Sequence, residues 1–170
     1  VIDTFETERL TARPVRADDA VDMHRLHTDH RVMGPIGGAI ASWDEAEALT
    51  RRMIDHWGRH GYGVWVLRLR DSGGFVGRVG LRRRDIDGVE ETELMCALAP
   101  DHWGQGYATE AARAVIGIAV DHLRMPSLVA GVAPADAASR RLVEKLGFVF
   151  ERDMINAGRP QALHRLRAVV

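Results

Sequence analysis

The sequence predicts a mixed α/β fold, with one sheet of about six or seven strands and about four helices on its faces. Three observations carry that expectation. Turn segments, Asp71-Ser72-Gly73-Gly74 and Asp87-Gly88, join three successive strand-like runs in the middle of the chain, as hairpins do. A strand–helix–strand succession over residues 91–133 fits a crossover between parallel strands. Several segments repeat apolar residues at helical spacing.

In chain order, residues 8–15 alternate as a strand, and 18–30 read as a helix with Val21 and Leu26 among its apolar positions. Gly34-Pro35-Ile36-Gly37-Gly38 is expected to break the chain. Ser42-Trp43-Asp44-Glu45 reads as a capping box, because Ser and Glu at that spacing satisfy each other's orphan N–H groups. Leu49, Met53 and Trp57 behind it share one helical face. Strands follow at about 63–70, 75–82 and 91–99. A long helix then presents Ala108, Ala111, Ala112, Val115, Ala119 and Leu123, and Met125-Pro126 ends it. Residues 127–133 form a buried strand. Asp136 is placed to cap a short helix bearing Leu142 and Leu146, closed by Gly147 in a left-handed turn. Strands at 148–154 and 162–169 complete the order, and 1–170 reads as a single domain.

Composition narrows the function. Lys and Arg total 23 against 24 Asp and Glu, which argues against a general nucleic-acid binder. The single cysteine, Cys96, excludes an internal disulfide and any multi-cysteine zinc site. No apolar run approaches the ~20 residues of a bilayer span. The start, Val1-Ile2-Asp3-Thr4-Phe5-Glu6, lacks the pattern of a signal peptide, so a cytoplasmic location is expected.

Gly104 and Gly106 lie between the strand ending near Ala99 and the helix beginning near Tyr107. The first turn of a helix leaves N–H groups unpaired at the positive end of its dipole, and glycine admits an anion close to the backbone. A phosphate or pyrophosphate is the expected ligand. Thr109 stands where a dinucleotide fingerprint needs Gly or Ala, and no Gly-Lys-Ser/Thr follows, so neither a dinucleotide nor a Walker site fits.

The stretch Glu93-Leu94-Met95-Cys96-Ala97-Leu98-Ala99-Pro100-Asp101-His102-Trp103-Gly104-Gln105-Gly106-Tyr107-Ala108-Thr109-Glu110-Ala111 resembles the acetyl-CoA motif of the GNAT N-acetyltransferases, most closely the RimJ/RimL-type branch. Thr7-Glu8-Arg9-Leu10, Phe75-Val76-Gly77-Arg78-Val79-Gly80 and Ala138-Ser139-Arg140-Arg141-Leu142-Val143-Glu144-Lys145-Leu146-Gly147-Phe148 agree in the right order. The resemblance implies a mostly antiparallel sheet with a central splayed parallel pair, strands 93–99 and 127–133, that seats the pantetheine beside Leu98. It implies acetyl-CoA as co-substrate, no metal, and backbone N–H groups of Gln105, Gly106, Ala108 and Thr109 on the pyrophosphate. Trp103, Gly104 and Tyr107 complete that loop. Trp103 replaces the Arg or Gln that usually opens the motif.

The implied reaction is direct transfer of acetyl to a primary amine, at a protein N-terminus or on a small molecule. Glu93 matches the acidic position expected to serve as general base, through water. Backbone N–H groups near Leu94 to Cys96 would receive the oxyanion. The helix tyrosine that often protonates the thiolate is replaced by Val143, which leaves Ser139 as a contact to the sulfur. Asp136 stands in place of the usual asparagine near the pantetheine. Cys96 inside an apolar strand reads as a core residue, not a nucleophile. His24, His27 and His30 read as a polar helix face, one of them open to substrate, in preference to a metal site. The acceptor side takes no nucleic acid or membrane, and the resemblance implies a monomer or homodimer. The alternative is an acyl-CoA-binding module without catalysis.

Overall fold

The alternating runs pair into one eight-stranded sheet in the computed structural model, which describes residues 2–38 and 42–168. The strands are β1 (Phe5–Glu6), β2 (Leu10–Pro14), β3 (Val64–Leu69), β4 (Phe75–Ile86), β5 (Val89–Leu98), β6 (Ser127–Val132), β7 (Val149–Asn156) and β8 (Arg159–Arg167). Their spatial order is β1-β2-β3-β4-β5-β6-β8-β7. Every neighbouring pair is antiparallel except β5 and β6, which are parallel and registered at the single pair Glu93–Val129. The sheet is therefore mixed and mostly antiparallel, and its central pair splays beyond Glu93. The two-residue β1 carries no periodicity of its own, and it is the strand the sequence did not predict. Val169, placed at the end of the last strand from the sequence, lies outside the described residues.

Five helices flank the sheet: α1 (Ala20–Thr28), α2 (His30–Ile36), α3 (Trp43–His60), α4 (Tyr107–Gly117) and α5 (Ala137–Lys145). The helix expected over 18–30 is two. Asp29 adopts an extended backbone, and its carboxylate accepts from Arg31 N, so it ends α1 and caps α2. Gly34 and Pro35 stay helical. The break comes at Gly37, whose left-handed φ of 90° and bonds back to Met33 and Gly34 carbonyls close α2. Ser42 Oγ accepts from Glu45 N at 3.2 Å and starts α3 as expected. A single π turn, Ile118–His122, prolongs α4.

The small face of α4 brings helix and sheet together. Ala111, Ala112, Val115 and Ala119 are fully buried against Leu10, Trp65, Leu67, Leu81 and Leu94, and Val143 of α5 joins the same core. On the other face α1 and α3 bury Met23 and Met53 against Val64 and Val66. There α2 packs Val32 and Met33 on Ala97. The close approach of β4 to β5 needs Gly77: a Cβ there would lie 2.7 Å from Leu98 Cα and run into the Ala97 carbonyl.

Buried polar groups make this packing sensitive to acid. His56 faces the carbonyl of Tyr62 through Nδ1 at 2.8 Å and accepts from Arg83 N through Nε2 at 3.0 Å, so its neutral tautomer fits. Burial lowers its pKa, and burial with the neighbouring charges of Arg78 and His24 takes His27 down to about 2. Burial alone would raise Asp19, but hydrogen bonds from Arg13 and the Arg16 amide hold it below the usual carboxylate range. The two histidines have folded values below the ordinary value of about 6.5, so the unfolded chain takes up protons that the folded chain refuses. Their contribution is full above about pH 6.5 and falls with pH by about 1.4 kcal/mol per unit for each histidine. Asp19 adds a further loss below about pH 4. Urea unfolding at pH 7.5 and 5.5 should differ by about 1–2.5 kcal/mol; an unchanged stability would contradict the neutral rings.

Candidate active site

The loop between β5 and α4 presents bare backbone. Gly104 and Gly106 have φ of 73° and 83°, a region that side chains disfavour. Gly106 is the N-cap of α4, and no side chain caps the helix. The first helical amide bonded back to the cap is Glu110 N, which donates to Gly106 O at 3.1 Å. The N–H groups of residues 104–109 make no hydrogen bond among the described residues. Six donors at the positive end of a helix form a site for an anion.

A contact spanning a hundred residues fixes this loop. Glu110, in the first turn of α4, accepts from Thr7 Oγ1 at 2.6 Å, Arg9 N at 3.0 Å and Arg9 Nε at 2.8 Å. Arg9 Nη1 donates to the Gln105 carbonyl at 2.8 Å, and the guanidinium stacks 4.2 Å from the Tyr107 ring centre. The segment Thr7-Glu8-Arg9-Leu10 thus braces the loop, a role that its position in the sequence does not reveal.

Beside the loop lies a cleft of about 820 Å³. Leu98, Trp103, Gly104, Gly106, Tyr107, Ala108, Thr109, Asp136 and Ser139, expected from the sequence, all line it. Its inner wall is Cys96–Leu98, where β5 has left β6, so apolar surface adjoins the row of donors. Trp103 donates its indole N–H to the Leu98 carbonyl at 2.8 Å, closing a group that the splayed strand leaves without a ladder partner. Asp136 caps α5 by accepting from Ser139 N at 3.1 Å.

Other expected residues fall elsewhere. Gln105 does not line the cleft; its side chain turns back to the Asp101 carbonyl at 3.2 Å, leaving only its backbone to the loop. Glu93 is 8% exposed and lies outside the cleft, with Oε1 accepting from Arg82 at 3.1 Å and Oε2 from Arg84. Val143 is buried in the core, and the cleft's tyrosine is Tyr107, on α4. Burial pushes the Cys96 thiol up to about 11, which keeps it protonated and agrees with a packing role. His24 and His27 are buried on α1, whereas His30 is exposed on α2, because the chain turns at Asp29. Among the described residues no group of three or more His, Cys, Asp or Glu side chains is arranged to hold a metal.

Arg31, Arg141 and Lys145 also line the cleft and give it a basic rim that the sequence reading missed. The available signal was the i, i+4 spacing of Arg141 and Lys145 on one helical face.

Comparison with known proteins places this geometry. The uncharacterized protein YkkB of Bacillus subtilis (strain 168) is 30% identical over 110 residues, 64% of this chain and 64% of that protein. The chain thus spans just under two thirds of that relative's length. An acetyltransferase from Agrobacterium tumefaciens str. C58 has TM-score 0.86 at 26% identity, over 98% of this chain and 95% of that one. Spermidine N-acetyltransferase from Vibrio cholerae, solved with CoA and spermine, has TM-score 0.72 at 23% identity over 92% of each chain, a likeness of fold alone. The Acetyltransferase (GNAT) domain matches residues 9–149, and the chain belongs to the GNAT acetyltransferase family.

Proposed function

We propose that residues 1–170 form one cytoplasmic N-acetyltransferase unit of the RimJ/RimL type, which moves acetyl from acetyl-CoA to a primary amine within a ternary complex. The observation that carries the reading is the run of unpaired N–H groups at residues 104–109 opening onto an apolar cleft. That pairing suits a ligand with a pyrophosphate at one end and a slender apolar arm at the other. Acceptors in reach of this reading are a protein N-terminus or a small-molecule amine, and the protein acts as a monomer or homodimer without a metal.

Acetyl-CoA supplies an activated acetyl thioester; the chain holds and orients it. The amides of Gln105, Gly106, Ala108 and Thr109 take the pyrophosphate, with Gly104 and Tyr107 shaping the turn. Leu98 and Trp103 wall the pantetheine on one side, Asp136 and Ser139 on the other. The backbone N–H of Cys96, which faces β6 just beyond the one residue pair that joins β5 to it, receives the oxyanion. The Ser139 hydroxyl hydrogen-bonds the departing sulfur. Glu93 accepts the amine's proton through water, using lone pairs left over from its arginine contacts.

Titration with acetyl-CoA, with dephospho-CoA and NAD for comparison, tests the reading. Micromolar acetyl-CoA binding and none for NAD is expected; well-folded protein that ignores acetyl-CoA would remove it. The Arg9 brace gives a second expectation. Arg9→Ala removes donors from Glu110 and from the Gln105 carbonyl, so acetyl-CoA affinity should fall about tenfold with the fold intact. Equal affinity would show that the loop holds its shape without it.

A further inference from the structure

The cleft reaches both faces of the sheet. On β5, Leu94 and Leu98 belong to the core beneath α4 and Cys96 packs against it, whereas Ala97 packs with α2 on the other face. Cys96, Ala97 and Leu98 all line the cleft, so it passes around the edge of β5 that the splay frees from β6. Its two sides differ in chemistry. Towards α4 and α5 lie the unpaired amides of residues 104–109, with Arg141 and Lys145, which suit a phosphate-bearing ligand. Towards α2 the wall is Val32, Pro35 and Ile36, spaced i, i+3 and i+4 so that they form one stripe along the helix.

The α2 wall offers no free charge. Arg31, the charged residue of α2 that lines the cleft, is bound to Asp29 at 2.8 Å. Asp136 is the one carboxylate lining any part of the cleft among the described residues, and it is buried and caps α5 through Ser139 N. A second ammonium or a carboxylate pressed against this wall would lose water and gain no partner. An alkyl or aryl group there gains by leaving water. Resting on the acetyltransferase reading above, we propose that the acceptor is a monoamine with an apolar side chain beside its amino group, seated on the Val32–Pro35–Ile36 stripe. Ile36 is the specificity-determining residue, because Val32 is already buried in the cluster with Ala97 and Pro35 is exposed, while Ile36 is half-buried and has surface left to cover.

The test uses the full chain with acetyl-CoA and acceptors that share one kind of amine but differ in side chain: leucine amide, phenylalanine amide and serine amide, with spermidine as the polyamine. Wild type should favour leucine or phenylalanine amide over serine amide by about tenfold or more in kcat/KM, with spermidine poorer still. Ile36→Ala should cut that preference to about a third or less through the acceptor KM, leaving acetyl-CoA affinity unchanged. Ile36→Val, which keeps an apolar surface, should retain most of it. Ile36→Asp puts a carboxylate on the stripe and should raise spermidine above leucine amide, with melting curves checking that each variant folds. Equal use of serine amide, a wild-type preference for spermidine, or an Ile36→Ala loss that falls on acetyl-CoA affinity overturns the proposal; the last result would assign the stripe to the pantetheine. Failure of acetyl-CoA to bind, or of every amine to turn over, would instead remove the acetyltransferase reading, so the two failures are distinct.

Discussion

Gly106→Val should weaken acetyl-CoA binding at least about 100-fold while the protein remains folded. Two costs add at this position. The φ of 83° places the residue in the left-handed region, where a β-branched side chain is strained by about 1–3 kcal/mol. Its Cβ would come 3.3 Å from Arg9 Nη2, so the brace must shift or the loop must open. An opened loop moves the amides proposed to hold the pyrophosphate, and a hydrogen bond to a charged group contributes about 1.5–3 kcal/mol. Calorimetry on the wild type and variant, with melting curves to check the fold, measures the difference. An unchanged dissociation constant would show that the anion, if any, lies elsewhere.

Glu93→Gln carries the second large effect, and it separates two roles. Glu93 is buried between two arginines, so an uncharged amide leaves Arg82 and Arg84 without their shared counter-charge. Breaking a buried pair costs about 3–5 kcal/mol, less here because Arg82 is 42% exposed. A loss of about 2–3 kcal/mol in urea unfolding is expected. As the proposed base, Glu93 should also account for about 100-fold or more in kcat below the melting transition. Lost stability with turnover preserved would make Glu93 purely structural and pass the proton to another group. The pH profile distinguishes these, since loss of a catalytic base removes a limb and loss of a strut does not.

Sequence and structure agree wherever short-range physics decides. The Ser42 cap, the small face of α4, the Asp136 cap and the hairpins around β4 are local patterns, and each folds where its pattern lies. The glycine loop was legible because its context, strand to helix with no capping side chain, is also local. Asp29 was not legible, because nothing in the apolar spacing of 18–30 marks a break there; the change depends on a carboxylate turning to cap Arg31 N. The bracing by Arg9 and Glu110 joins residues 101 apart, and the Arg78–His27 contact joins residues 51 apart. No periodicity records such meetings. Glu93 was singled out by the family resemblance, but the arginines that share it could be named only once β4 was in register beside it.

The central claim, transfer of acetyl from acetyl-CoA to an amine, is tested most directly by CoA thiol release measured with and without acceptor amines, with products identified by mass. The account predicts release that depends on an amine, produces an N-acetylated product, and is lost in Gly106→Val. Tight acetyl-CoA binding with no amine-dependent release across amino acids, their amides, peptides and polyamines would contradict it, and would describe an acyl-CoA-binding module in place of an enzyme.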